Sequence, residues 1–302
     1  MSIPFVKDLD FAYGHVAEIS PLVRRVVAKN PSAFTFHGTG TYIIGRGRVA
    51  VIDPGPDDPA HIEALLAGLA GETVSHILIT HTHRDHSPGA ALLQQRTGAP
   101  TYAFGPHPVP RGGLAVEEGG DHDFRPDFLL SDGESVGGAG WTMTALHTPG
   151  HISNHLCFAL EEEAALFSGD HVMGWSTTVI SPPDGNMTDY YASLTKLLPR
   201  SERVYYPTHG AAINASNTGI APQEFVQRLI RHREAREAQI LACLAAGPQS
   251  IPAMVENMYA EVPRYLHGAA GRSVLAHLIH MVADGRVRAD PAPHEGALYR
   301  KA

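Results

Sequence analysis

His81-Thr82-His83-Arg84-Asp85-His86 is the stretch that decides the reading of this chain. It puts three imidazoles and a carboxylate into six residues. Imidazole nitrogen is a good zinc ligand, and a carboxylate can hold a metal or orient its water. The apolar run His76-Ile77-Leu78-Ile79-Thr80 before it is short enough for a buried strand. Ser87-Pro88-Gly89 and then Ala90-Ala91-Leu92-Leu93 follow, a plausible helix start. The cluster is therefore expected on a loop between a strand and a helix, where a rigid scaffold presents ligands.

A His-rich surface turn would explain those six residues alone. It does not explain Thr148-Pro149-Gly150-His151, Ser168-Gly169-Asp170-His171 and Pro207-Thr208-His209-Gly210. Each places a ligand-type residue after an apolar, strand-like run: Trp141 to Leu146, Ala164 to Phe167, and Val204 to Tyr206. Loops at one sheet edge can converge, so the four segments can share one site.

This order resembles the metallo-β-lactamase superfamily over about Thr41 to Gly210. The resemblance implies an α/β fold, an αββα sandwich with a two-metal site at one edge. It implies that His81, His83 and His151 bind the first metal, that Asp85, His86 and His209 bind the second, and that Asp170 bridges them. Two Zn2+ are the expected ions, with iron or manganese allowed by the donor types. A metal pair about 3.5–4 Å apart can share a hydroxide available near neutral pH, and Asp85 would orient it.

Partners behind the ligands should fix the ring orientations. Asp53 ends the strand-like run Val49-Ala50-Val51-Ile52, and in the superfamily an Asp here supports the metal loop; alternatively it only starts a turn with Pro54. His155 and His171 read either as substrate-contacting acids or as satisfied loop histidines. Asn154, Trp175 and Thr177 offer further substrate contacts, with turn formation or core sealing as their plain alternatives.

With 302 residues, 43% hydrophobic and 18% charged, the chain has an ordinary globular composition and suggests two domains. No apolar stretch reaches the roughly 18 residues of a membrane span. The start Met1-Ser2-Ile3-Pro4-Phe5-Val6-Lys7 has no signal-peptide pattern, so a cytoplasmic protein without a membrane partner is expected. Cys157 and Cys243 sit in apolar patterns and read as thiols in a reducing compartment. Nineteen histidines are many, and the ligand set uses only five. Residues 1–221 carry 13 basic and 23 acidic side chains, which argues against polyanion binding through bulk charge.

The spacing predicts strands over Val23 to Val27 and Thr41 to Ile44, and helices over Pro59 to Ala70 and Thr188 to Leu198. Phe104 to Asp132, rich in Gly, Pro and Asp, reads as a long loop near the site. A catalytic domain over 1–215 would precede a small C-terminal domain over 222–302. Helices over Gln223 to Ala246, Ser250 to Tyr259 and Arg264 to Ala283 come first there. A hairpin around Pro291-Ala292-Pro293 follows, giving the order of a winged helix. Core plus winged helix resembles the β-lactamase-like protein 2 subfamily, which also matches at Leu160 to His171 and Ser181 to Met187.

A characterised animal member of that group cleaves single-stranded RNA, so an endoribonuclease-like zinc hydrolase is the leading expectation. A thioester or acyl hydrolase of glyoxalase II type is the alternative for a small-molecule substrate. A β-lactamase is disfavoured because His86, not Arg, follows Asp85, and a flavodiiron protein because His83 replaces a carboxylate. A different class is a winged-helix nucleic-acid-binding regulator with a metal-sensing core. The winged helix would either contact nucleic acid or pack, covering the site or joining a homodimer.

Overall fold

A computed structural model describes residues 2–108, 119–261, 263–264 and 267–302. Two sheets face each other. The first runs in chain order through β1 (Ala17–Glu18), β2 (Val23–Val27), β3 (Gly40–Ile44), β4 (Arg48–Ile52), β5 (Thr73–Leu78), β6 (Thr101–Ala103) and β7 (Phe128–Leu129). The strands β1 to β4 pair antiparallel, and β4 to β7 pair parallel. Parallel neighbours need crossovers; α1 (Pro59–Gly68) and α2 (Gly89–Thr97) supply the first two. Pro59 opens α1, and the Asp58 carboxylate accepts from Ala60 N–H at 2.9 Å, a regular cap.

The second sheet comprises β8 (Ser135–Gly138), β9 (Trp141–His147), β10 (Leu156–Leu160), β11 (Ala165–Gly169) and β12 (Val204–Pro207), ordered β12-β11-β10-β9-β8. Its parallel pair β11 and β12 is joined through α3 (Met187–Leu197), capped by Asn186.

Side chains alternate across each strand, and that alternation sets the layers. Tyr42, Ile44, Ile52 and Leu78 meet Met143, Phe158 and Phe167 between the sheets. Ile43, Val51 and Ile77 point the other way, onto Ile62, Leu65 and Leu93 of α1 and α2. On the opposite face, Cys157, Ala159 and Leu166 pack on Leu194 and Leu197 of α3 and, past the short α4 (Ala215–Thr218), on Phe225 and Leu229 of α5 (Pro222–Leu244). The expected αββα sandwich is the one observed.

The far half of α5, with Ile240 and Leu244, enters a separate cluster. That cluster also holds Met254 of α6 (Ile251–Met258), Val274 and Leu278 of α7 (His267–Ala283), and Tyr299 of β15 (Leu298–Lys301). The strand β15 pairs antiparallel with β14 (Val287–Asp290) and with β13 (Gln249–Ser250), a strand that the sequence pattern does not predict. Helices followed by a hairpin were expected, and a three-stranded wing is found. Helix α5 belongs to both cores, and α7 reaches the first through Ala276.

The expected long loop carries β7, and its residues 109–118 lie outside the described ones. Cys157 and Cys243 are both free thiols. Among the described residues, no helix is long and apolar enough to cross a membrane.

Candidate metal centre

Four strands deliver their C-terminal ends to one edge of the sandwich. Asp53 follows β4, the segment 79–88 follows β5, Asp170 follows β11, and His209 follows β12. His151 comes from the turn after β9. The seven ligand-type residues converge there. His81, His83 and His151 form one group with donor atoms within 4.8 Å of one another, Asp85, His86 and His209 a second, and His81, His86 and Asp170 a third. Asp170 stands between the first two: Oδ1 is 3.4 Å from His209 Nε2, and Oδ2 is 3.6 Å from His86 Nε2 and 3.9 Å from His151 Nε2.

Hydrogen-bond accounting fixes a hydrogen on the outward Nδ1 of four of these rings. The Val179 carbonyl accepts from His151 Nδ1 at 2.7 Å, and the Gly38 carbonyl from His209 Nδ1 at 3.1 Å. A carbonyl only accepts, so each Nδ1 carries hydrogen, and Nε2 is the nitrogen left to bind a metal. Thr80 Oγ1 donates to Asp53 Oδ2 at 2.6 Å, so at 3.0 Å it accepts from His81 Nδ1, with the same result for His81. Asp53 Oδ2 also accepts from His86 Nδ1 at 2.9 Å. The Asp53 carboxylate is buried and further holds Thr80 N–H at 2.8 Å and the Thr208 hydroxyl at 3.3 Å. It sits at φ 47°, a left-handed conformation that Asp tolerates better than most residues.

This set fits a metal. His83 Nδ1 lies 3.0 Å from His81 Nε2 and 3.1 Å from His151 Nε2. A Zn–N bond of about 2.0–2.1 Å gives a tetrahedral edge of about 3.3 Å, so one ion fits among the three. With its hydrogen on Nδ1, His83 donates to a neighbouring ring nitrogen, and a bound cation would take the place of that hydrogen. His86 Nε2 and Asp170 Oδ1 are buried with no hydrogen-bond partner, and both face the same space.

The charges agree. Burial, helped by neighbouring rings, holds His81 and His83 well below the usual histidine pKa, hence neutral. Burial also disfavours charge on Asp85 and Asp170, but the His86 and His209 rings outweigh it and keep both carboxylates ionised. In return Asp85 and Asp170 overcome burial at His86, raising it well above the ordinary value, and push His209 up to about 10. Asp85 Oδ2 is 3.1 Å from His86 Nε2 and 3.2 Å from His209 Nε2, and accepts from the Thr39 hydroxyl at 3.0 Å.

The expected substrate contacts divide. His155 is fully buried; its Nε2 accepts from Asp170 N–H at 3.2 Å and its Nδ1 meets Thr148 Oγ1 at 2.9 Å. It holds the Asp170 backbone and faces no open space. His171 and Asn154 are likewise buried, and Asn154 Nδ2 donates to Thr82 Oγ1 at 2.8 Å. Trp175 and Thr177 are half-buried. Trp175 stacks on Phe36, centroids 4.6 Å apart and planes 7° apart, with Gly210 against its other atoms. Sequence reasoning missed Gly38, Thr39, Thr80, Val179 and Thr208. Of these only Thr80 had a signal, its place at the strand end before the cluster.

The model for the metallo-β-lactamase superfamily matches residues 35–209. This chain belongs to the metallo-β-lactamase superfamily. It is a hydrolase of that superfamily, whose members imply a divalent metal at such a cluster. A second model, the β-lactamase associated winged helix domain, matches residues 250–295. An atrochrysone carboxyl ACP thioesterase of Aspergillus fumigatus is 33% identical over 306 positions, covering 99% of this chain and 83% of that protein. The lactamase-like protein adaB of Aspergillus niger is 29% identical, covering 93% and 86%. A β-lactamase domain protein from Burkholderia ambifaria shares the fold at TM-score 0.79 and 20% identity, over 98% of this chain and 96% of its own. A metallo-β-lactamase family protein from Thermus thermophilus does so at 0.73 and 24%, over 94% and 100%.

Proposed function

We propose that this metallo-β-lactamase superfamily member is a two-zinc thioester hydrolase. The observation that carries the reading is the 33% identity to a carboxyl ACP thioesterase along nearly the whole chain, joined to adjoining His/Asp groups that could hold metal. The single-stranded RNA expectation loses its lead, because the two relatives above carry thioesterase and lactamase-like names.

His81, His83 and His151 would hold one ion, Asp85, His86 and His209 the other, with Asp170 shared. When bound, such a pair supplies Lewis acidity and brings the pKa of water toward about 7. Asp85 stays ionised, and the Thr39 hydroxyl fixes its carboxylate. It is therefore an acceptor placed to orient the attacking water and to take its proton. Water attack on the thioester carbonyl breaks the C–S bond and releases a carboxylate and a thiol.

The test is thiol release from an acyl-pantetheine thioester by zinc-loaded protein, beside Asp85→Asn and beside a fluorescent single-stranded RNA. Thiol release lost in Asp85→Asn supports the proposal. Intact thioester with two zinc ions confirmed bound removes it, and cleaved RNA in the same experiment restores the ribonuclease reading.

A further inference from the structure

The segment after Met173 grips the centre at two points without being a helix or strand. The Val179 carbonyl fixes His151 Nδ1. The Thr178 hydroxyl spans the carbonyls of Asp170, at 2.8 Å, and His171, at 3.0 Å. An irregular segment needs something else to fix it, and that support comes from α5. Arg233 is buried, only 3% exposed, and its Nη2 donates to the Thr178 carbonyl. Its guanidinium lies over the Tyr190 ring at 5.4 Å, and the Tyr190 hydroxyl donates to the His171 carbonyl at 3.1 Å. A buried guanidinium is costly unless such partners are in place.

One turn further along α5, buried Glu237 is held from the C-terminal unit. His277 of α7 lies 3.2 Å from its carboxylate, and Arg286 2.7 Å. His280 of α7 meets the Thr188 hydroxyl of α3 at 2.8 Å, and Ala276 packs into the cluster of α3 and α5. The unit thus sets the position of the helix that carries Arg233.

We infer that Arg233 is a positioning residue for the metal centre. Through Arg233 the winged-helix unit takes part in hydrolysis by fixing the Thr178–Val179 backbone, hence His151 and Asp170, without touching substrate. The inference rests on the seven residues holding metal, as proposed above.

Cobalt is the probe, because its visible absorption reports ligand geometry. Metal-free full-length chain is titrated with Co2+ as wild type, Arg233→Met, Arg233→Lys and Thr178→Val. Wild type without Co2+ uptake overturns the metal reading itself and this inference with it. With wild type binding, Arg233→Met is expected to bind at least one ion about tenfold more weakly, the lower range for groups that orient ligands, with an altered spectrum. Arg233→Lys, which keeps one donor for the carbonyl, recovers part of the loss. Wild-type affinity and spectrum in Arg233→Met overturn the inference. Should Arg233→Met fail to fold, Arg233→Lys and Thr178→Val are combined. Losses smaller than additive support one shared linkage, and additive losses overturn it.

Discussion

Replacing Asp53 by Asn tests the support of the metal centre with the least change in shape. Both residues tolerate the left-handed backbone found there, at φ 47°, so the effect reports the carboxylate. That group accepts from four donors: Thr80 N–H, the Thr80 hydroxyl, His86 Nδ1 and the Thr208 hydroxyl. An amide has one oxygen. If its NH2 takes the Oδ1 place, it faces the Thr80 amide, which has nothing to accept with. If it takes the Oδ2 place, it donates to His86 Nδ1 and drives the ring hydrogen to Nε2, the atom facing Asp85 and Asp170. Nε2 then offers no lone pair to a metal. Losing one buried charge-assisted bond and leaving a donor unpaired costs about 3 kcal/mol of stability. Zinc affinity should fall about 10–100-fold. Urea unfolding of the metal-free chain reads the first effect and competition with a chromophoric chelator the second. Two zinc ions held at wild-type affinity would refute the argument that Asp53 sets the His86 tautomer.

His61 links stability to pH. Burial, only partly opposed by Asp58, depresses it to about 4. The folded chain therefore excludes a proton that the unfolded chain accepts below about 6.5. Its stabilising contribution is full above pH 6.5 and drains as pH falls from 6.5 to 4, about 3 kcal/mol at one proton over that window. In His61→Gln the slope of unfolding free energy against pH should drop by one proton there; an unchanged slope counts against it. Metal loading should expel protons, since His86 stands well above its ordinary value and His209 near 10 in the metal-free chain. About two protons per chain are expected in a weakly buffered indicator assay at pH 7.5, and none would contradict the charge pattern. Gly150, at φ 140°, leaves no room for a side chain: a Cβ there would lie 2.5 Å from Tyr190 Cα. Gly150→Ala should cost about 3 kcal/mol and displace His151, read by thermal melting and zinc stoichiometry; a wild-type melt would show that the turn yields.

How much of this was legible follows from what a sequence encodes. Metal ligands must be side chains of a few types, and here the candidates follow strands, so His81, His83, Asp85, His86, His151, Asp170 and His209 stand out. The groups that set their tautomers do not: Val179 and Gly38 act through carbonyls, which every residue has. Leu156-Cys157-Phe158-Ala159-Leu160 is buried on both faces as β10, and such a run shows no period to tell strand from helix. His155 drew attention through its closeness to His151 in sequence, yet it points inward and serves the Asp170 amide. The many histidines left over have a partial account: His61 and His155 are buried, bonded groups rather than ligands.

The charged face of α5 shows the same limit at larger scale. Gln223 to Ala246 reads as an amphipathic helix with a solvated Arg/Glu/His face, and Arg231 and Glu234 are exposed as that reading requires. Arg233 and Glu237 break it, because both are buried. A helix serving one core has one apolar stripe. This one serves two: Phe225 and Leu229 pack on the sandwich, Ile240 and Leu244 on the wing. Between the two stripes the helix still faces protein on more than one side. Buried charge there must find specific partners, and it finds the Thr178 carbonyl on one side and His277 with Arg286 on the other. The place where the sequence pattern fails is therefore the place where the C-terminal unit is joined to the metal centre.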